Sequence, residues 1–226
     1  MTSLIDKIVQ TSRELEVRKG AIERFVPFLE ALGNKDFPTL EHSVRVAYLN
    51  RDAANFTNLT HPRALFLPGL LHDVGKLAIN PEILRKTSGF NEKDMEEMRK
   101  HVEYGCRILL GVADFSAYVL FFHHFFKRKG AYPREEDFRE VFGDYFDKWS
   151  EGTKTLGKYC GRITSITDFY DAVTTRENDK FSPGQPRLFT REEAKGIIVR
   201  ENQDQEYLIN RLYDAGIFGG KKNGEE

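Results

Sequence analysis

The stretch Leu70-Leu71-His72-Asp73-Val74-Gly75-Lys76 decides how the chain is read. Two leucines lead into an adjacent imidazole and carboxylate, and a lysine follows three residues later. Read as α-helix, it puts His72 and Lys76 one turn apart on one face, with Asp73 turned roughly a quarter of the way round. Such a cluster suits a metal ion with a cation beside its ligand. Alone it equally suits a buried polar pair, so the flanking sequence has to decide.

Outward from this stretch the pattern is helical nearly throughout, and period-2 runs of β-branched residues are scarce, so the predicted fold class is all-α. Amphipathic helices are expected over 3–17 and 20–32, with Pro27 kinking the second and Gly33-Asn34 ending it. Thr39 is the predicted N-cap of a helix to about residue 57, with His42 in its first turn. Pro62 suits the first turn of the helix that carries His72, Asp73 and Lys76. Asn91 is expected to cap a helix to about residue 110 carrying His101. Residues 113–127 read as an almost wholly apolar, hence buried, helix with His123-His124 near its end. A further helix over 134–150 precedes one over 157–175, where Asp168 and Asp171 lie one turn apart. Thr190-Arg191-Glu192-Glu193 is a capping box opening a helix to about residue 200, and a last helix covers about 204–215. The expected organisation is an N-terminal helical extension (1–37), one domain (38–217) and a disordered tail (218–226).

Composition excludes several classes. The net charge of −1 supplies no argument for binding a DNA or RNA duplex or an anionic membrane. Cys106 and Cys160 form no CxxC pair, so two reduced thiols are expected rather than a disulfide framework. The N-terminus lacks an apolar signal core. The apolar runs near 64–71 and 117–126 are too short to span a bilayer. A cytoplasmic protein is the expectation.

His61 precedes a proline at a helix start and is read as structural. The other five histidines, His42, His72, His101, His123 and His124, all fall on predicted helices. A buried imidazole is ordinarily a hydrogen-bonded core residue. Five of them with few hydroxyls or amides nearby are hard to satisfy separately, whereas a shared metal site satisfies them together. Imidazoles and carboxylates without thiolates suit Fe, Mn, Zn, Ni or Co. Five histidines with Asp73 and Asp168 exceed what one ion needs and match two, with one carboxylate bridging. Two ions about 3.5–4 Å apart hold a bridging hydroxide in line with a bound phosphate, and Lys76 would neutralise charge growing on the phosphoryl oxygens. The chemistry so indicated is metal-assisted hydrolysis of a phosphate ester.

The order His42, His72-Asp73, Asp168 resembles the H…HD…D pattern of the HD phosphohydrolase superfamily, and in detail its HD-GYP subgroup, which hydrolyses cyclic dinucleotides. HDVGKLAINPEIL (His72 to Leu84) is similar to the subgroup's HDIGKIGIPDxIL. The element from His101 to Leu109 and the span from His123 to Pro133 follow in register, and Arg162 to Thr175 is similar to RIxxIADxxDALTS. The resemblance covers about residues 40–216. It implies an HD-domain helical bundle with additional N- and C-terminal helices. It implies one metal on His42, His72, Asp73 and Asp168, and a second on Asp73, His101, His123 and His124. Fe or Mn is favoured, and Zn, Ni or Co would fit the same donors. Lys76 and Asp73 would be the catalytic residues, Lys76 and Lys180 would contact substrate phosphate, and Asp171 would bond a ligand imidazole.

The chain also departs from that pattern. Ala131-Tyr132-Pro133 replaces GYP, Phe125 stands where the family has Glu after its paired histidines, and Arg128-Lys129 replaces Asp-Gly. Pro38 occupies the position of a Glu that brings some members a third metal, so two metals are expected. Glu177-Asn178-Asp179 replaces Arg-Pro-Tyr. Three readings follow. The chain is a two-metal phosphodiesterase acting on cyclic di-GMP or a related cyclic dinucleotide, an HD-type nucleotide phosphomonoester hydrolase, or a signalling module with a structural or vestigial metal site. A signalling protein partner and a homo-oligomer are both compatible with the sequence.

Overall fold

The N-terminal turn of the helix that bears His42 shows how closely sequence dictates local structure. Asp36-Phe37-Pro38 is its start: Asp36 is the N-cap, and its carboxylate accepts from the Thr39 N–H (3.2 Å) and hydroxyl (2.5 Å). Proline in the first turn has no N–H to leave unsatisfied, so the cap belongs before Pro38 and not at Thr39 as predicted. The computed structural model describes residues 1–86, 89–127, 130–177 and 187–220. Among them no strand occurs, and the fold is all-α.

Helices α1 (Thr2–Glu14) and α2 (Lys19–Lys35) lead into α3 (Phe37–Phe56). Helix α2 passes through Gly33-Asn34 instead of ending there. Gly33 packs without a side chain under Leu40 and Met1, and that burial holds the last turn together. Helix α4 (Arg63–Leu71) stops just before His72, and a 3-10 helix (Val74–Ala78) follows. The short α5 (Pro81–Leu84) precedes α6 (Glu92–Arg99), which opens on a capping box made by Asn91 and Asp94. The single helix expected from Asn91 to about residue 110 is two, broken at Lys100, with α7 (His101–Leu109) after the break. Helix α8 (Asp114–Phe122) is shorter than predicted, and His123 and His124 lie in the turn beyond it. The stretch expected as a helix over 134–150 contains α9 (Asp137–Phe142) and turns. Helices α10 (Glu151–Thr175), α11 (Arg191–Glu201) and α12 (Glu206–Asp214) complete the chain, and α11 opens on the Thr190–Glu193 capping box.

Every residue of α8 from Ser116 to Phe122 is buried, as its all-round apolar sequence requires. It lies between two apolar cores. One joins Ile5, Phe25 and Leu29 to Phe66, Leu70, Phe121 and Phe142. The other gathers Leu65, Val119, Ile163 and Ile166 with Ile198, Ile209 and Phe218. Each such fully buried aliphatic or aromatic side chain stabilises the fold by about 1.5–3 kcal/mol relative to exposure. Phe218, at the edge of the expected tail, is fully buried and stacks on Tyr170 (centroids 4.0 Å apart). Asn50 ties three helices together. It donates to the Leu65 carbonyl (3.0 Å) and Thr164 Oγ1 (2.9 Å), and it accepts from Thr167 Oγ1 (2.6 Å). Among the described residues no helix is long and apolar enough to cross a membrane.

Two close crossings assemble the region around His72. A Cβ on Gly75 would lie 1.8 Å from the His101 carbonyl oxygen and 2.4 Å from the Gly105 nitrogen, so the 3-10 segment touches the α7 backbone directly. A Cβ on Gly161 would meet Phe122 Cβ at 2.6 Å and the Val119 carbonyl at 3.2 Å. That contact lays α10 against the end of α8, where His123 and His124 follow.

Candidate metal centre

The change from α4 to 3-10 geometry determines how the HD stretch presents its groups. In a 3-10 helix, residues three apart eclipse one another. Lys76 therefore stands over Asp73, with Nζ 2.6 Å from Oδ2, rather than one α-turn from His72 as the helical reading predicted. Around this pair, His42 comes from α3, His101 from the start of α7, His123 and His124 from the turn after α8, and Asp168 from α10. These four histidines, His72 and Asp73 are buried.

The ligand atoms fall into two sets. His42, His72 and Asp168 each offer one atom within 4.8 Å of the others, and so do His101, His123 and His124. Asp73 lies between the sets. Its Oδ2 is 3.6 Å from His42 Nε2 and 3.4 Å from His72 Nε2, while its Oδ1 is 3.6 Å from His101 Nε2. Asp168 Oδ1 is 3.0 Å from His42 Nε2, and its Oδ2 is 3.8 Å from His124 Nδ1.

The tautomers are dictated by what lies behind each ring. His72 Nδ1 faces the Gly69 carbonyl (2.8 Å), His101 Nδ1 that of Met98 (2.6 Å), and His123 Nδ1 that of Leu120 (2.5 Å). His42 Nδ1 faces Asp171 Oδ2 (2.7 Å), and Asp171 is itself clamped by Arg45 through Nε (2.7 Å) and Nη2 (3.0 Å). A carbonyl or carboxylate only accepts, so each Nδ1 carries a proton, and each ring when neutral turns its Nε2 lone pair inward. His101 Nε2 and His123 Nε2 are then 3.4 Å apart with no proton between them, an arrangement that is not a hydrogen bond. His124 Nδ1 is buried without a hydrogen-bond partner. Converging acceptors with no donor fit a divalent cation, and the outward-held Nδ1–H groups are the usual support of a metal-ligating imidazole. The nitrogen and oxygen donor set fits Fe, Mn, Zn, Ni or Co.

The titration behaviour has the same origin. Burial holds His101 down to about 4, against the opposing charge of Asp73. Burial and the neighbouring imidazoles keep His123 and His124 well below the ordinary histidine range. At His72 burial acts downward too, but Asp73 and Asp168 together outweigh it and raise the group to about 10. With protons as the only cations, a proton on His72 thus partly takes the place of a metal. Burial works to raise Asp73 and Asp168, yet the groups that face them hold both well below the carboxylate range. For Asp73 these are chiefly Lys76, His72 and His101, and for Asp168 chiefly His42 and His72.

All seven residues predicted as ligands lie in this cluster, as do Lys76 and Asp171. Lys180 and Arg128-Lys129 fall outside the described residues. His61 is exposed and apart from the cluster. Arg45 was not singled out from sequence. Its signal was a cation one helical turn after His42, placed to brace the carboxylate behind that ring. The cluster opens into a cleft of about 640 Å³ that Lys76, Tyr132, Phe169 and Arg176 also line. Tyr132, from the Ala-Tyr-Pro loop, packs its ring on His124 (centroids 4.8 Å apart), with Lys127 Nζ 4.7 Å from the tyrosine ring centroid.

Residues 39–160 match the HD domain family, and the chain belongs to that family. Over 152 residues it is 32% identical to a cyclic di-GMP phosphodiesterase of Pseudomonas aeruginosa, covering 65% of this chain and 33% of the relative. Over 175 residues it is 26% identical to 3'3'-cGAMP-specific phosphodiesterase 2 of Vibrio cholerae, covering 74% and 30%. The chain thus spans about a third of the length of these relatives. The HD domain of the L. monocytogenes phosphodiesterase PgpH, solved in complex with cyclic-di-AMP, shares its fold. That similarity has a TM-score of 0.58 at 17% identity, covering 87% of this chain and 99% of the other.

Proposed function

We propose that the chain is a metal-dependent phosphohydrolase of the HD-GYP type that hydrolyses a cyclic dinucleotide, cyclic di-GMP or a close relative, at a site for two divalent ions. The observation that carries this reading is the pair of three-ligand sets with one oxygen of Asp73 turned to each. In it His42, His72 and Asp168 would hold one ion, His101, His123 and His124 would hold the other, and Asp73 would serve both. Residues 38–217 form the catalytic unit, with 1–37 as an extension. The named relatives act on cyclic dinucleotides, which supports the substrate class.

Divalent ions so held supply Lewis acidity toward a phosphoryl oxygen and an acidified water. Lys76 lines the cleft and is fixed by Asp73, so its charge faces the phosphoryl oxygens as negative charge builds on them. Asp171 and Arg45 hold the His42 ring, and backbone carbonyls hold those of His72, His101 and His123, so these four rings need not reorganise during reaction. Water adds its oxygen to phosphorus, a ribose oxygen leaves and takes up a proton, and the ring opens to a linear dinucleotide. A second cleavage of the same kind would yield mononucleotides.

The test begins with metal analysis of anaerobically purified protein. About two equivalents of transition metal per chain, lost on His72→Ala, are expected. A panel of cyclic dinucleotides and nucleotide monoesters assayed with Fe(II) and Mn(II) then reads the substrate. Protein without metal, or metal-loaded protein inert across the panel, overturns the enzymatic reading and leaves a signalling module. Turnover of monoesters alone makes the chain a phosphomonoesterase.

A further inference from the structure

Lys35 closes the last turn of α2, outside the residues 39–160 that match the HD family. Its ammonium donates to two backbone carbonyls, those of Leu77 (2.7 Å) and Ile79 (2.5 Å). Both lie at the end of the 3-10 segment that Asp73 opens. The backbone itself serves the carbonyls around them. Asp73 accepts from the Lys76 N–H, Lys76 from the Ile79 N–H, and Asn80 from the Ile83 and Leu84 N–H groups. Leu77 and Ile79 are served from α2 instead. Ile79 is buried and Leu77 half-buried, and an unmet carbonyl there is costly. A cation at the C-terminal end of a helix also answers the partial negative charge of its last carbonyls.

The residue after Lys35 holds a second ligand-bearing element. Asp36 caps α3, which carries His42. Arg85 Nη2 donates to the Lys35 carbonyl (2.7 Å) and ties the segment after α5 to the same turn. The junction of α2 and α3 thus grips both α3 and the 3-10 segment with Asp73 and Lys76. Gly75 fixes the middle of that segment on α7, and Lys35 fixes its end on α2. We propose that Lys35 is a positioning residue of the metal centre. By holding the end of the 3-10 segment it sets where Asp73 stands between the two ligand sets and where Lys76 faces the cleft. The N-terminal extension is then part of the working site. The inference rests on the two-metal reading above.

The experiment uses the full chain, Mn(II) and bis(p-nitrophenyl) phosphate, a small diester that reports on the centre itself. Lys35→Met keeps an aliphatic stem and removes the donors. With Mn(II) saturating, kcat should fall about tenfold while KM stays within about twofold. The Mn(II) Kd, titrated without substrate, should rise about tenfold. Amides 74–80 of the metal-free variant should exchange faster with deuterium. Lys35→Arg keeps a cation with several donors and should recover most of all three readings. Lys19→Met, at an exposed site on the same helix, should match the wild type. Should Lys35→Met fail to fold, Lys35→Gln, with an amide donor in place of the ammonium, gives the same comparison. A variant with wild-type kcat and Mn(II) affinity, even at a lower Tm, overturns the positioning role and leaves the enzymatic reading intact. Wild-type protein that holds no Mn(II) overturns the two-metal reading and the positioning role with it.

Discussion

At the scale of single residues, the groups behind four imidazoles fix their Nδ1 protons, and the inward nitrogens of His101 and His123 face each other without a proton between them. That arrangement predicts how the metal-free protein responds to pH. His101, held down to about 4, and His123 and His124, held well below the usual range, stay neutral in the native state where the unfolded chain protonates. Their stabilising effect is present above pH about 6.5, the unfolded value, and is lost as pH falls below it. For His101 alone the loss is on the order of 3 kcal/mol by pH 4. His72, raised to about 10, works the other way: it stabilises below pH about 6.5 and loses that effect as pH climbs to about 10. Thermal melts of chelator-treated protein should therefore show a maximum near pH 6.5 with the steeper fall on the acid side. A profile that is flat from pH 4 to 7 would show that these rings are not buried neutral bases.

At the scale of elements, the decisive feature is the contact of the 3-10 segment with α7. Gly75→Ala places a methyl 1.8 Å from a backbone oxygen and 2.4 Å from a backbone nitrogen, and neither can swing aside as a side chain would. The segment must move away from α7, separating Asp73 from His101. The expected outcome is a loss of about 3 kcal/mol in denaturant unfolding, with loss of bound metal. Gly20→Ala, where nothing lies within 4 Å, is the matching control and should be neutral or stabilising by about 0.5 kcal/mol. The same scale shows why helix boundaries were the least legible part of the sequence. Apolar periodicity runs smoothly through Lys100, past Phe122 and into His72. Two of the breaks lie beside close crossings with elements distant in the chain, Gly75 on α7 and Gly161 on the end of α8.

At the scale of the whole molecule, the proposed ligands come from α3, the turn after α4, α7, the turn after α8, and α10. An ion held by them cross-links segments from His42 to Asp168 and binds only the folded state. Metal at about a hundredfold excess over its Kd should stabilise the fold by about 2.7 kcal/mol, or about 5–10 °C in Tm for a chain of this size. Chelation should remove that increment, and added Mn(II) should restore it, in a melting experiment at fixed protein concentration. Identical melts with and without chelator would mean that no ion is held at the proposed ligands.

What the sequence determined by itself was the all-helical class, the buried α8 and the chemistry of the candidate centre. These follow from local periodicity and from the rarity of buried imidazoles without polar neighbours. Tertiary structure alone decided which groups face which. Lys76 pairs with Asp73 because the chain tightens to 3-10 where Gly75 meets α7. Arg45 braces Asp171, and Tyr132 covers His124. Gly75 meets His101 and Arg45 meets Asp171 from distant parts of the chain, and Tyr132 reaches back over His124 across a turn; helical periodicity records only which side of an element is apolar, not what lies against it.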